Sequence, residues 1–305
     1  MSPAIFDEQI DRAIDSSAPS RKLRCMEVWG GHRAACESVA TTGLDVWIHS
    51  SPADQASSAS GEDVYFLSSC ASGRISRLLL ADASGHGSSV PRLAEDLRRQ
   101  MRQNINHVRQ ERLISSVNRQ FAGTAGDHGF ASGLFATYFL PMRTLSVCVA
   151  GHPVPLIYRR SLKSWRFLEN PDAGRCGERS VPLGVNPNSR YESCTTRVEQ
   201  DDLVFCTTDA LADALTASGQ PIGIGGLRAL LQSLGELPPQ EIVPAVLETL
   251  EQWNSENFNR DRVTAMLLRI NSRKIPLKDN LLAPFRLLGG FAGLWPDRPR
   301  KDQDV

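Results

Sequence analysis

Short apolar runs, each closed by turn-forming residues, dominate the middle of the chain. The segments LDVWIHS (44–50), EDVYFLSS (62–69), ISRLLLAD (75–82), GLFATYFLP (133–141), TLSVCVAG (144–151), PLIYRR (155–160), DLVFCTTD (202–209) and VTAMLLRI (263–270) are rich in Val, Ile, Phe and Tyr. Runs of this length and composition predict β-strands. Several follow one another with no room for a helix between them, which predicts antiparallel pairing rather than a βαβ array. Two stretches keep a different period. Val90, Leu93, Leu97, Met101, Ile105 and Val108 recur at three- and four-residue steps, and Ile242, Val246, Leu247 and Leu250 form a second stripe. The pattern as a whole predicts an α+β domain in which helices cover sheets.

The two ends differ from this body. Residues 1–24 place Ile5, Ile10 and Ile14 at near-helical spacing and then run into a Ser/Pro linker, so a short helix is expected before a body spanning 25–271. Residues 272–305 form a tail whose apolar stretch, LLAPFRLLGGFAGLW, is interrupted by Pro284, Arg286 and Gly289-Gly290. It is too broken to span a bilayer and is expected to pack on the domain. No internal repeat is visible.

Composition narrows the function classes. The 305 residues are 41% hydrophobic, enough for a substantial core, and 34 basic residues balance 34 acidic ones. With zero formal charge there is no global field to attract nucleic acid. The acidic N-terminus fits neither a secretory signal nor a transit peptide, so a cytoplasmic location without a transmembrane segment is expected. Seven cysteines with no C-x-x-C pair argue against a disulfide framework and a structural zinc site. Cys148 and Cys206 sit inside apolar runs and read as small core residues.

The acids give the pattern its chemical interest. Asp63 opens EDVYFLSS, Asp82 closes ISRLLLAD ahead of the glycine-rich ASGHG, Asp209 closes DLVFCTTD, and Asp261 precedes VTAMLLRI. A carboxylate at the end of an apolar strand must be solvated, hydrogen-bonded or paired with a cation. Singly, each reads as a turn former or helix cap; four converging on one sheet edge would suit a hard divalent ion.

Taken in order, SGEDVYFLSS, ADASGHG, FATYFLP with LSVCVAGHPVPLIYR, PLGV, LVFCTTDALADA and DRVTAMLLR resemble the motifs of the bacterial metal-dependent PPM (PP2C-like) serine/threonine phosphatases of the SpoIIE/RsbU family, over roughly residues 25–270. The resemblance implies a four-layer αββα sandwich, two antiparallel sheets flanked by helices, with a di-metal site at one end. Asp82 matches the aspartate that bridges two Mn²⁺ or Mg²⁺ ions, and the backbone carbonyl of Ala83 matches the ligand beside it. Asp63 matches the acid of Gly-Gly-Asp, Asp209 that of Thr-Asp-Gly, and Asp261 the first of Asp-Asp-x-Thr. The implied reaction is hydrolysis of phosphoserine or phosphothreonine in a regulatory protein by a metal-activated water. Oxygen-only ligation suits Mg²⁺ or Mn²⁺ better than zinc.

Four positions depart from the family pattern: Glu62 replaces the second glycine of Gly-Gly-Asp, Ala210 a glycine, Asp213 a glutamate, and Arg262 the second acid of the last motif. Arg262 stands to repel a weakly held metal or to help grip phosphate. His86 is a candidate proton donor to the leaving oxygen, whereas His152 before Pro153 reads as fixing a turn. Ser84 lacks a G-x-S-x-G context, and PIGIGG (221–226) lacks the spacing of a dinucleotide fingerprint. The arginines between Arg98 and Arg112 read as the solvated face of a helix.

The resemblance also implies a phosphorylated regulatory partner, such as an anti-sigma-factor antagonist, with signals arriving through a separate sensor or regulator. Two alternatives stay open: a catalytically weak phosphatase-like module that binds a phosphoprotein, and a phosphohydrolase for small molecules, which would need a deep enclosed pocket.

Overall fold

All eight apolar runs become strands. The computed structural model describes residues 21–23, 28–31, 34–51, 62–70, 73–85, 90–126, 129–170, 174–177, 180–258 and 262–273. In chain order the strands are β1 (Arg21–Lys22), β2 (Val28–Gly31), β3 (Ala35–Ala40), β4 (Leu44–Ser51), β5 (Glu62–Cys70) and β6 (Ile75–Ser84). Helices α1 (Val90–Asn104) and α2 (Gln110–Ala125) follow. Next come β7 (Phe130–Phe139), β8 (Thr144–Ala150), β9 (Leu156–Arg159), β10 (Ser164–Phe167), β11 (Glu169–Asn170), β12 (Gly174–Arg175), β13 (Cys194–Arg197) and β14 (Leu203–Thr207). The short α3 (Asp209–Asp213), then α4 (Gly223–Ser233), α5 (Pro239–Trp253) and β15 (Val263–Ile270) complete the order.

These strands form two large sheets. One has the order β1-β3-β4-β15-β14-β9-β10 and the other β13-β8-β7-β6-β5-β2. Pairing is antiparallel throughout both, apart from the two-residue parallel contact of β1 with β3. Period-two alternation sorts the side chains. Val46, Ile48, Leu67, Leu78, Leu80, Leu134, Val147, Val204, Met266 and Leu268 fill the space between the sheets. Their strand neighbours Phe66, Leu79 and Phe135 face outward onto Leu97, Met101, Leu113, Val117 and Phe121 of α1 and α2. On the other side Leu156, Phe205 and Leu267 meet Leu227, Leu231, Val246 and Leu250 of α4 and α5. Both faces of each sheet are therefore covered, which explains why strands such as LLLA in β6 are apolar without interruption. The result is the expected αββα sandwich.

The helices correct the sequence reading in two places. The stripe from Val90 breaks after Asn104, and Val108 is 86% exposed rather than buried. The polar RQER that looks like a helix end instead starts α2, whose Leu113, Val117 and Phe121 resume the apolar face. PIGIGG (221–226), set aside as a nucleotide motif, opens α4, which begins at Gly223 with φ +63°. Pairing also begins inside the stretch read as helix and linker: Arg21 and Lys22 align with Val39 and Ala40, and Leu23 is buried. Residues 1–20 and 274–305, including the expected N-terminal helix and the apolar tail, lie outside the described residues.

Cysteine usage needs a second correction. Cys148 and Cys206 are buried thiols, as their apolar surroundings require, but Cys176 and Cys194 are joined by a disulfide. An odd count without C-x-x-C concealed this pair, because their proximity comes from the fold: 18 residues separate them, and Cys194 opens the edge strand β13. Both are buried. Closing a loop of this size stabilises the folded chain by about 3 kcal/mol in the chain-entropy account. Replacing both cysteines with alanine should lower the unfolding free energy in urea by about 2–4 kcal/mol, and a dithiol reductant should bring the wild type toward the same midpoint.

Candidate active site

Register brings the first two acids together. Asp63 is the second residue of β5 and lies directly opposite Asp82, near the end of β6. On the far side of β7, Ala131 exchanges both backbone hydrogen bonds with Leu183. Ala131 is thus not bonded to its other neighbour Ala83, whose backbone groups face β5. Alternation then makes Asp63 and Asp82 a non-hydrogen-bonded pair, the position at which facing side chains approach most closely. Asp63 shares its face with Tyr65 and Leu67, and Asp82 with Leu78 and Leu80, so both side chains belong to the layer between the sheets.

The opposite sheet closes over them. Thr207 ends β14 and Thr208 N-caps α3. The Thr208 hydroxyl donates to Asp63 Oδ2 at 3.2 Å and accepts from the Thr264 amide at 3.2 Å, while the Thr208 amide donates to the Thr264 carbonyl at 3.0 Å. Thr264 also hydrogen-bonds Asp63 and lies 2.8 Å from the Ser50 hydroxyl on β4. Asp63 is therefore tied by hydroxyls across the seam between the sheets. Asp209 follows at the first position of α3, with its side chain at the solvent edge.

Electrostatics couple the three acids through Asp82. Asp63 is 2% exposed, and loss of hydration, followed by the charge of Asp82, pushes its carboxyl up to about 8 against the pull of Thr264, Thr208 and Arg262. The protein atoms behind Asp209, then Asp213 and Asp82, push that carboxyl up to about 6. Water on the open side of Asp209 screens these effects, so it titrates below Asp63. Arg262, just before β15, pairs with Glu62 at 3.4 Å.

Other candidates resolve less simply. The Ser84 hydroxyl donates to Asp82 Oδ2 at 3.4 Å. His152 is buried and its Nδ1 lies a long 3.4 Å from the Pro153 carbonyl. Burial pushes its pKa down to about 4, so the ring is neutral near pH 7. Asp261 and His86 lie outside the described residues. Sequence reasoning missed Thr208, Thr264 and Ser132. The last aligns with Asp82 from β7, and its buried hydroxyl has no hydrogen-bond partner among the described residues. For the threonines the signal was their place within the last two motifs; for Ser132 only the register reveals it.

The donor set fits hard cations. Asp63, Asp82, Asp209 and the Ala83 carbonyl offer oxygen alone, and the mutual repulsion of the acids is what a divalent ion would relieve. Among the described residues no three His, Cys, Asp or Glu side chains stand as a preformed ligating group. A cavity of about 220 Å³, lined by Tyr158, Trp165, Leu203, Glu236 and Arg269 among others, opens at the other end of β14 and does not include the acids.

The αββα sandwich is the fold of PP2C-like phosphatase domains. Residues 72–271 match the model of the Stage II sporulation protein E (SpoIIE) family, and the chain belongs to that family. The phosphatase domain and regulatory fragment of SpoIIE from Bacillus subtilis superpose with a TM-score of 0.59 at 14% identity, covering 90% of this chain and 77% of that one. The RsbU and RsbW domains of Rv1364c from Mycobacterium tuberculosis give 0.57 at 19% identity, with 83% and 71% covered. RsbX in complex with magnesium gives 0.55 at 14%, with 77% and 99% covered. These likenesses establish the fold. No curated protein sequence matches the chain. No helix among the described residues is long and apolar enough to cross a membrane.

The coupled acids make stability depend on pH when divalent ions are chelated. The Asp63 carboxyl titrates near 8 in the folded chain, whereas an unfolded aspartate titrates at about 3.9. The folded state then holds a proton that the unfolded chain releases, so this group lowers stability as pH rises from about 4 toward 8. In EDTA, Asp63→Asn should melt higher than wild type by at least about 2 °C at pH 8, with a smaller gain at pH 5. Equal gains at both values would disprove the assignment.

Proposed function

We propose that this protein is a metal-dependent serine/threonine phosphatase that hydrolyses phosphoserine or phosphothreonine in a regulatory protein. The observation that carries the reading is the coupling of Asp82 to both Asp63 and Asp209, acids delivered by opposite sheets, in a chain of the SpoIIE family. Asp63, Asp82, Asp209 and the Ala83 carbonyl would hold the cations, with Asp261 as a further ligand. When bound, two Mn²⁺ or Mg²⁺ ions supply an activated water and neutralise the phosphoryl dianion. The chain's own contribution is positional. Thr208 and Thr264 fix the Asp63 carboxyl by hydrogen bonds, and the rigid β5–β6 ladder holds Asp82 opposite it. His86 is the candidate proton donor to the departing serine or threonine oxygen.

A protein substrate is favoured over a small molecule because Asp209 sits at the solvent edge and the cavity of about 220 Å³ at the other end of β14 does not include the acids. The similarity to RsbU and RsbX supports a phosphorylated regulator, of the anti-sigma-factor antagonist kind, as substrate. A second reading, a module that binds a phosphoprotein without hydrolysing it, is favoured by the Arg262–Glu62 pair, which brings positive charge to the acid cluster.

Hydrolysis of an aryl phosphate and of a phosphoserine peptide with added Mn²⁺ or Mg²⁺ separates the two. Turnover should depend on the metal, and Asp82→Asn and Asp209→Asn should each reduce it by about 100-fold or more, the scale of losing one stabilising group at a reacting centre. Phosphopeptide binding without turnover in the wild type would establish the binding module instead.

A further inference from the structure

The cavity at the far end of β14 is built on one row of register partners. Trp165 on β10 aligns with Tyr158 on β9, Tyr158 with Leu203 on β14, Leu203 with Arg269 on β15, and Arg269 with Asp45 on β4. Trp165, Tyr158 and Leu203 belong to the layer between this sheet and helices α4 and α5. The turn joining those helices supplies another wall through Gly235, Glu236, Leu237 and Pro239. Charges around the cavity are already matched. Arg160 and Lys163 pair with Glu236 at 3.2 and 2.7 Å, and Arg269 pairs with Asp45 while lying 5.5 Å from the centre of the Trp47 ring. What remains for an occupant is aromatic and aliphatic wall.

We propose that this cavity is the docking site of the chain's own apolar segment Leu281–Trp295, with Phe285 as the side chain that enters it. The first support is the point of departure. Arg273, the last described residue, pairs with Asp45 Oδ1 at 3.1 Å, on the carboxylate whose other oxygen meets Arg269. The chain therefore continues into residues 274–305 from the rim of the cavity. From β15 to β10 is three strand spacings, about 14 Å, whereas the stretch from Arg273 to Phe285 can extend to about 40 Å. Composition is the second support. Leu281, Phe285, Leu288, Phe291 and Trp295 lie in a segment with one charged residue, Arg286, and such a run left in water would be a large apolar patch. The third is size. A volume of about 220 Å³ falls below the roughly 300–1,000 Å³ of sites that take whole small molecules, and suits an inserted side chain. An aromatic ring placed against Tyr158 and Trp165, whose own centroids are 5.4 Å apart, gains ring contacts beyond the area it buries. Because the cavity does not include the acids, docking there stands apart from the phosphatase reading.

Photocross-linking in the 305-residue chain tests the placement. Phe285 is replaced by p-benzoylphenylalanine, the protein is irradiated at low concentration, and products are separated by size and mapped by mass spectrometry. Adducts should form within one chain, on residues 156–167, 201–203 or 235–242. Leu237→Asp, at the half-buried turn, should lower their yield by about tenfold, the scale of losing one large apolar contact. Val185→Asp, at an exposed apolar residue away from the cavity, should leave the yield unchanged. In hydrogen–deuterium exchange, Phe285→Asp should speed exchange at residues 235–242 by about tenfold and leave β5 and β6 as in wild type, which separates undocking from misfolding. Adducts confined to other parts of the domain would overturn the assignment. So would adducts joining two chains, which would make a second copy the occupant, and so would unchanged exchange at 235–242.

Discussion

Two carboxylates facing each other across one β-ladder set the terms for the rest of this molecule. Asp63 and Asp82 occupy a close cross-strand position in the layer between two sheets, where little water reaches Asp63. Loss of hydration, and after it the like charge of Asp82, costs free energy there, and the cost appears as a carboxyl of Asp63 that prefers its proton. A fold tolerates such a pair only when the surrounding structure over-determines it. Here the supports are extensive: a nine-residue β5 paired along its length with β6, leucines below the acids on the same face, and threonine hydroxyls above. The apolar layer thus supplies the rigidity that keeps the acids together, and the acids mark the end at which that layer stops.

The sandwich also explains why the site needs both sheets. One sheet contributes Glu62, Asp63 and Asp82, and the other contributes Thr264, Arg262 and, just past β14, Thr208 and Asp209. Neither half has compensating partners by itself. Asp63 draws its hydrogen bonds from Thr208 and Thr264, and Glu62 draws its cation from Arg262. Packing of Leu67, Leu80, Met266 and Leu268 between the sheets therefore sets the distances of the chemistry at their ends. Small shifts of one sheet against the other would change every one of these polar contacts together.

Much of this was legible in the chain because the strands keep strict local signals. Runs such as LVFCT and LLLA carry their burial in composition, and Asp63, Asp82 and Asp209 each follow or precede such a run, so their places near strand ends could be read directly. The helices were harder. The six-residue stripe from Val90 continues to Val108 on paper, but the chain turns after Asn104, and nothing in the polar RQER announces a new helix. The disulfide and the role of Ser132 were not legible, because both arise from register: Cys194 pairs with Val147 on β8, and Ser132 with Asp82 on β6. Sequence spacing reports which face a residue takes, whereas only the assembled ladder reports what stands beside it.

The departures from the family pattern acquire meaning once they are seen as neighbours. Glu62 and Arg262 are 200 positions apart in sequence and each, alone, looks like damage to a metal site: an added negative charge in one motif, a lost one in another. Together they are an exchange. A cation introduced by the second sheet meets an anion introduced by the first, and the two charges offset each other. An unpaired arginine there would compete with divalent ions for Asp63, and an unpaired glutamate would deepen the repulsion around it. The pairing restrains both effects by setting each charge against the other.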